Sequence, residues 1–416
     1  MKLVVFAHTP PPHHGQSFMV QQLLDHLGGD LRQSAALTGG QPSEIACYHV
    51  NARFSTTLAD IGRPQPFKLL RLFRHVGQAW LCRWRHGADC FLHVPAPAKR
   101  SALVRDWLVM ALCRPIFRRR ICWFQAAGLG DWLEHEATPW QRWLTRKLLG
   151  RPDLSIVLGE WGRRDAVALG SRRTIVVPNT IPDPCPPDAA EVLRSRSARA
   201  LARASRSAAT GAAPADPAVG GSDRFRVLSL SLCVREKGLF DTLEAVVLVN
   251  RRLVQSASSL RVELHVAGEF PNATDREEFN QRGRSADWRD DDGRPLLHWH
   301  GFVEGSAKTA LLRDSDCFCF PSYYAAEGFP LVLVEAMSWG LHIVTTRWRI
   351  IPELFPDGFD GLVEPRQPAQ IADAIERRLF RPPEAGLRQR YEQCYAVEPC
   401  LGKIRQALLE LESSPC

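Results

Sequence analysis

Short apolar runs alternate with longer amphipathic stretches along nearly the whole chain, and no other feature constrains the fold as much. In the first half Leu3–Ala7, Ile45–Val50, Cys90–Val94, Ile121–Phe124, Leu154–Leu158 and Thr174–Val177 read as strands. Candidate helices such as Phe18–Leu27, Ala102–Leu112 and Trp140–Leu149 lie between them. The second half repeats the pattern with strands at Arg226–Ser231, Arg261–Ala267, Leu296–His300, Cys317–Phe320 and Ile343–Thr345. Near-continuous apolar strands separated by helices imply βα units and a mostly parallel sheet covered on both faces. The expectation is therefore an α/β chain with two doubly wound, Rossmann-like domains. A length of 416 residues is enough for both.

Between the halves the composition changes. Residues 182–223 are rich in Ala, Ser, Pro, Gly and Arg, and such a stretch buries too little apolar surface to offset ordering. Most of it is expected to be a flexible linker or insertion, with its Ala/Arg part able to form a transient helix. The polar stretch Asn272–Arg294 reads as an exposed loop. The predicted organisation is an N-terminal domain over 1–181, a linker over 182–223 and a second domain over 224–398. A helix over 399–416 follows, placed to cross back to the first domain.

A net charge of +8 favours an anionic partner. A nucleotide diphosphate and an anionic membrane surface both fit; without zinc-finger spacing, an RNP-like strand or a long basic tract, nucleic acid ranks last. Twelve cysteines include no Cys-x-x-Cys pair, which points to a reducing, cytoplasmic setting, with the inner face of the cell membrane as an option. The run at Met1–Ala7 is too short for a signal peptide, and no stretch of about 18 apolar residues predicts a membrane span. Two basic aromatic stretches, Phe67–Arg85 and Arg105–Arg120, suit either an amphipathic helix lying on an anionic membrane or one packed on the sheet with a basic outer face.

The segment most suggestive of chemistry is Phe320–Gly340, FPSYYAAEGFPLVLVEAMSWG. Gly328 and Pro330 break the chain after a strand, and Leu331–Trp339 resumes as a helix. Glu327 thus falls on the strand-to-helix loop and Glu335, eight residues on, inside the helix. At about 1.5 Å per residue they stand roughly 10 Å apart, too far to share a proton or one metal ion but suited to gripping a long ligand.

This segment resembles the glutamate-x7-glutamate signature of retaining glycosyltransferases of family 4, which have the GT-B fold of two Rossmann-like domains facing a central cleft. The resemblance implies that Glu327 contacts the donor sugar, that Glu335 holds the ribose, and that the amides of Gly328, Phe329, Pro330 and Leu331 at the helix start face the diphosphate. A helix N-terminus suits an anion in any case, through its unpaired N–H groups and dipole. Other segments match the same family in order. Thr9–Ser17 (TPPPHHGQS) resembles its first-strand glycine loop, with Gly15 and Gln16 in the site and at most one of His13 and His14 facing the ligand. Leu228–Gly238 (LSLSLCVREKG) supplies Lys237 and Gly238 of a Lys-Gly pair, where lysine neutralises a departing diphosphate. The earlier basic position of the family is Leu232 here, and Arg235 is the candidate to supply the missing charge. Val176–Thr180 resembles the family's V-x-P-N-G element. Gly268 closes a strand under the nucleotide, and His300–Phe302 fall where the base stacks. The family's first-domain histidine is replaced by Gln125, within CWFQAAGLG. Glutamine forms hydrogen bonds but does not titrate, so a titrating group would have to come from His8, His13 or His14.

The resemblance implies sugar transfer from a nucleotide-diphosphate donor to an acceptor hydroxyl with retained configuration, with Glu327, Lys237 and Gln125 as catalytic candidates. It implies no cofactor and no metal, and a saccharide or lipid-linked acceptor from polysaccharide or glycolipid assembly. A GT-B epimerase or phosphorylase would need acid/base groups or a pyridoxal lysine that the motifs do not supply. From another class, Gln125 and Leu232 suit a nucleotide-sugar-binding scaffold with weak or lost turnover.

Overall fold

The computed structural model describes the chain except residues 12–14, 35–43, 55–65, 97–99, 186–188, 209–223, 326, 384 and 414–416. By contact it forms two units, Met1–Thr180 with Val397–Cys416, and Ile181–Ala396. The first contains β1 (Lys2–Ala7), α1 (Gly15–His26), α2 (Leu31–Ser34), β2 (Ala46–Asn51), α3 (Pro66–His86), β3 (Cys90–His93), α4 (Arg100–Cys113), β4 (Arg119–Trp123), α5 (Leu129–His135), α6 (Pro139–Leu148), β5 (Leu154–Val157), α7 (Arg163–Ala168) and β6 (Thr174–Val176). The second contains α8 (Ala189–Ala208), β7 (Arg224–Leu230), α9 (Leu239–Gln255), β8 (Arg261–Ala267), α10 (Ala273–Gly283), β9 (Leu297–Trp299), α11 (Gly305–Asp314), β10 (Cys317–Phe320), α12 (Leu331–Ser338), β11 (His342–Thr346), β12 (Leu362–Val363), α13 (Pro368–Glu376) and α14 (Ala385–Cys394). The last helix, α15 (Val397–Ser413), belongs to the first unit.

Each unit has a six-stranded parallel sheet, ordered β2-β1-β3-β4-β5-β6 in the first and β12-β11-β10-β7-β8-β9 in the second. The strands read as continuous apolar runs because both faces are covered. In β1, Leu3, Val5 and Ala7 pack with Met19 and Leu23 of α1 and with Leu401, Ile404 and Leu408 of α15. Val4 and Phe6, pointing the other way, pack with Val76 of α3 and Trp107 of α4. In the second unit Phe225 and Val227 face α9 and α13.

Two stretches depart from the sequence reading. Within 182–223, residues 189–208 form α8, which is docked through arginines and is no flexible linker. Arg196 is 2% exposed and donates to the carbonyls of Leu312 (2.6 Å), Arg313 (3.0 Å), Ser315 (2.8 Å) and Trp339. Three of these acceptors lie at the C-terminal end of α11, where unsatisfied carbonyls attract a cation. Arg199 and Arg203 add ion pairs to the buried Asp316 at 3.1 and 3.4 Å. The i, i+3, i+7 spacing puts all three on one helix face. The second stretch, read as a loop over Asn272–Arg294, holds α10, capped by the Asn272 side chain accepting from the Asp275 N–H at 2.7 Å. Phe279 and Trp288 anchor this stretch in the core.

Candidate functional site

In an open parallel sheet, ligands bind beyond the carboxyl ends of the strands, where the strand order reverses. In the second unit this point lies between β7 and β10. The loops leaving these two strands carry Lys237 and Glu327, and the structure brings the two together. Lys237 Nζ lies 2.7 Å from Glu327 Oε2, which also accepts the Ser322 hydroxyl at 2.8 Å. Both partners are largely buried, with side-chain exposures of 15% and 7%. The rings of Tyr324 and Phe320 lie 4.9 and 5.3 Å from the ammonium and shield it from water. A backbone bond from Tyr323 N–H to the Glu236 carbonyl, 2.8 Å, ties the two loops. The sequence reading named Lys237 and Glu327 but missed Ser322 and Tyr324, whose only signal was their position just past the strand.

Two glycines make this close approach possible. Gly238 has φ 80°, and a methyl group there would meet the Pro321 carbonyl at 2.4 Å. Gly268, at the end of β8, has φ 145°, and a methyl there would meet the Ser231 carbonyl at 1.8 Å. Beside Gly268, Phe302 is 66% exposed at the end of β9, and the Gly301 carbonyl accepts the Gly268 N–H at 2.7 Å.

Gly328, Phe329 and Pro330 lead into α12 at Leu331, and no side chain caps this helix start. Its N-terminal amides and dipole therefore suit an anion. Glu335, on the second turn of α12, pairs with Lys308 of α11 rather than with Lys237. Arg235 pairs with Glu278 of α10, and its guanidinium lies 4.5 Å from the Phe240 ring. Leu232, where the resemblance expects a base, is 57% exposed.

In the first unit Gly15 and Gln16 open α1, just beyond the carboxyl end of β1. His13 and His14 lie outside the described residues. Gln125 follows β4, and both atoms of its side-chain amide are buried without a hydrogen-bond partner. Each such atom costs about 1–3 kcal/mol, which a bound ligand or water would relieve. The loop carrying Gln125 is fixed from below by Asp165, which accepts the N–H groups of Gly128 (3.1 Å) and Gly130 (2.6 Å). Burial pushes the Asp165 carboxyl up to about 6. A titratable pair absent from the sequence reading stands at the end of β3. His93 Nε2 lies 3.6 Å from the fully buried Asp106. Burial pushes the Asp106 carboxyl up, but Arg105 and His93 outweigh it and hold the group at about 2. Neither residue stood out because each falls within an ordinary strand or helix pattern.

Comparison with known proteins agrees with this architecture. Residues 224–380 match the family described as glycosyl transferases group 1. A segment is 30% identical over 159 residues to the amylovoran biosynthesis glycosyltransferase AmsK of Erwinia amylovora, covering 37% of this chain and 36% of AmsK. Another is 35% identical over 83 residues to the putative colanic acid biosynthesis glycosyltransferase WcaL of Salmonella typhimurium, covering 19% of this chain and 20% of WcaL. The chain thus spans about a third or less of the length of these curated relatives. Among solved structures, Anabaena Alr3699/HepE in complex with UDP-glucose superposes with a TM-score of 0.59 at 15% identity, covering 98% of this chain and 99% of that one. The fold is GT-B, with two Rossmann-like units.

Proposed function

We propose that the protein is a retaining glycosyltransferase that moves a sugar from a nucleotide-diphosphate donor to an acceptor hydroxyl in the assembly of a cell-surface polysaccharide or glycolipid. The observation carrying this reading is the buried Lys237–Glu327 pair at the strand-order reversal of the unit that matches the group 1 family. Its lysine and the uncapped start of α12 provide positive charge where a diphosphate would leave. Glu327, pre-oriented by Ser322, accepts hydroxyls of the donor sugar, and Glu335, on the second turn of α12, accepts those of the ribose. Gly268 lets the nucleotide approach the backbone, and the exposed Phe302 offers a face for the base. In the first unit Gly15 and Gln16 at the start of α1 and the unpartnered Gln125 amide are the groups this reading assigns to ligand binding. Arg235 reaches the diphosphate only by leaving Glu278.

The test is turnover against a panel of nucleotide sugars, beginning with UDP-glucose, the donor bound by HepE. Nucleotide release that rises with an added saccharide or lipid-linked acceptor supports the transferase. Tight donor binding with no release would instead identify a binding scaffold, the reading favoured by the exposed Leu232.

The same proposal includes contact with an anionic membrane through α3. On its outer face Leu70 (67% exposed), Phe73 (55%), Leu81 (55%) and Trp84 (67%) are interleaved with exposed Arg74 and Arg85. Apolar groups set among basic ones suit a headgroup boundary. Cosedimentation with phosphatidylglycerol vesicles but not with phosphatidylcholine vesicles, lost in Leu70→Glu/Trp84→Glu, supports the contact. Equal binding to both vesicle types would refute it. No helix among the described residues is long and apolar enough to cross a membrane.

A further inference from the structure

A row of imidazoles lies on one face of the second sheet, at its β8–β9 edge. The parallel pairing places His265 opposite His298. Because side chains alternate along a strand, Glu263 and His265 share a face of β8, and His298 and the adjoining His300 share that face on β9. The His265 ring stacks on His298 at 4.8 Å and on His300 at 5.3 Å, with interplanar angles of 22° and 9°. One ligand atom from each of Glu263, His265 and His298 lies within 4.8 Å of the others. The Glu263 Oε2 to His265 Nε2 distance is 3.5 Å. A tetrahedral zinc ion with bonds of about 2.0–2.1 Å separates its donors by roughly 3.4 Å, so little movement is needed.

The hydrogen bonding leaves one nitrogen of His265 to face a cation. His265 Nδ1 is 3.0 Å from His300 Nε2, whereas His265 Nε2 is buried and makes no hydrogen bond. Glu263 also faces Arg224 at 3.3 Å and Arg226 at 3.5 Å, and Asp290 pairs with Arg224.

We propose that Glu263, His265 and His298 form a binding site for a divalent transition metal of the zinc class, with His300 orienting His265. Two imidazoles and one carboxylate favour zinc, nickel or copper over magnesium or calcium, whose preferred ligands are oxygens. Three protein ligands leave one tetrahedral position for water or a further donor.

The test uses the full chain, stripped with a chelator and then titrated with Zn2+ by calorimetry and with Co2+ by visible absorption. One equivalent should bind, and Co2+ should give the intense bands of a tetrahedral site. His265→Ala and His298→Ala should each weaken Zn2+ binding at least tenfold, and Glu263→Gln, which keeps the side-chain shape, should do the same. His135→Ala, an exposed histidine outside the cluster, should leave binding unchanged. Zn2+ affinity unaltered by the first three substitutions, or no Zn2+ binding to the folded chain, would overturn the proposal.

Discussion

Replacing Arg196 with methionine should release α8 from the second unit. The guanidinium holds four carbonyls, those of Leu312, Arg313, Ser315 and Trp339, in a position 2% exposed. Methionine keeps most of the apolar stem but provides no donor, so several buried acceptors lose their partner. One such loss costs about 1–3 kcal/mol, but water reaching a loosened helix end would satisfy some of these carbonyls. A net loss of about 3 kcal/mol is therefore expected in the local opening of α8. Since each 1.4 kcal/mol is a factor of ten, hydrogen exchange at the amides of residues 192–203 should accelerate about 100-fold. Arg194→Ala supplies the control, because Arg194 is 75% exposed at its side chain and reaches only local groups of its own helix, the surface Glu191 and the Ala190 carbonyl, among the described residues. It should change exchange by less than threefold. If Arg196→Met and Arg194→Ala exchange alike, or if α8 is unprotected in the unaltered protein, the arginine-docked helix is wrong and the stretch is the linker its composition suggests.

Gly268→Ala should destabilise the second unit by about 3 kcal/mol in urea unfolding, since its methyl would collide with the Ser231 carbonyl. Gly293→Ala, at φ 75° with open space around the new methyl, should cost only about 1–2 kcal/mol, and equal losses would contradict the close approach. Burial pushes the His342 imidazole down to about 4, with its Nε2 held 3.0 Å from the Arg381 carbonyl. The folded state therefore favours neutral His342. The associated stability is full above pH 6.5, where the unfolded imidazole is also neutral, and is lost as pH falls towards 4. The loss amounts to roughly 3 kcal/mol at most. His342→Gln should flatten the dependence of the unfolding midpoint between pH 7 and 4.5, and an unchanged slope would assign it to other groups.

The βα alternation made the sheets legible because these strands are buried on both faces. Their apolar runs fall within a residue or two of the observed strands. Of the candidate site, Lys237 and Glu327 were marked by the glycine or proline that follows each, since both sit where a strand must turn sharply into a helix. Their direct pairing was not legible, because it depends on the β7–β10 adjacency that only the strand order reveals. The α8 reading failed for a physical reason: composition treats arginine as solvated, whereas Arg196, Arg199 and Arg203 are held by carbonyls and a buried carboxylate. The same limit hid His93 and Asp106, which are 13 residues apart in sequence and meet only through the packing of α4 on β3.

The most direct test of the account is turnover by Glu327→Gln, with nucleoside diphosphate affinity measured on the same preparation. Glutamine keeps the side-chain shape but removes the negative charge opposite Lys237. If Glu327 grips the donor sugar during transfer, turnover should fall by about 100-fold or more. Binding of the nucleoside diphosphate, which lacks the sugar, should hold or strengthen as Lys237 is freed. Undiminished turnover in Glu327→Gln, in a chain that otherwise transfers sugar, would contradict the account.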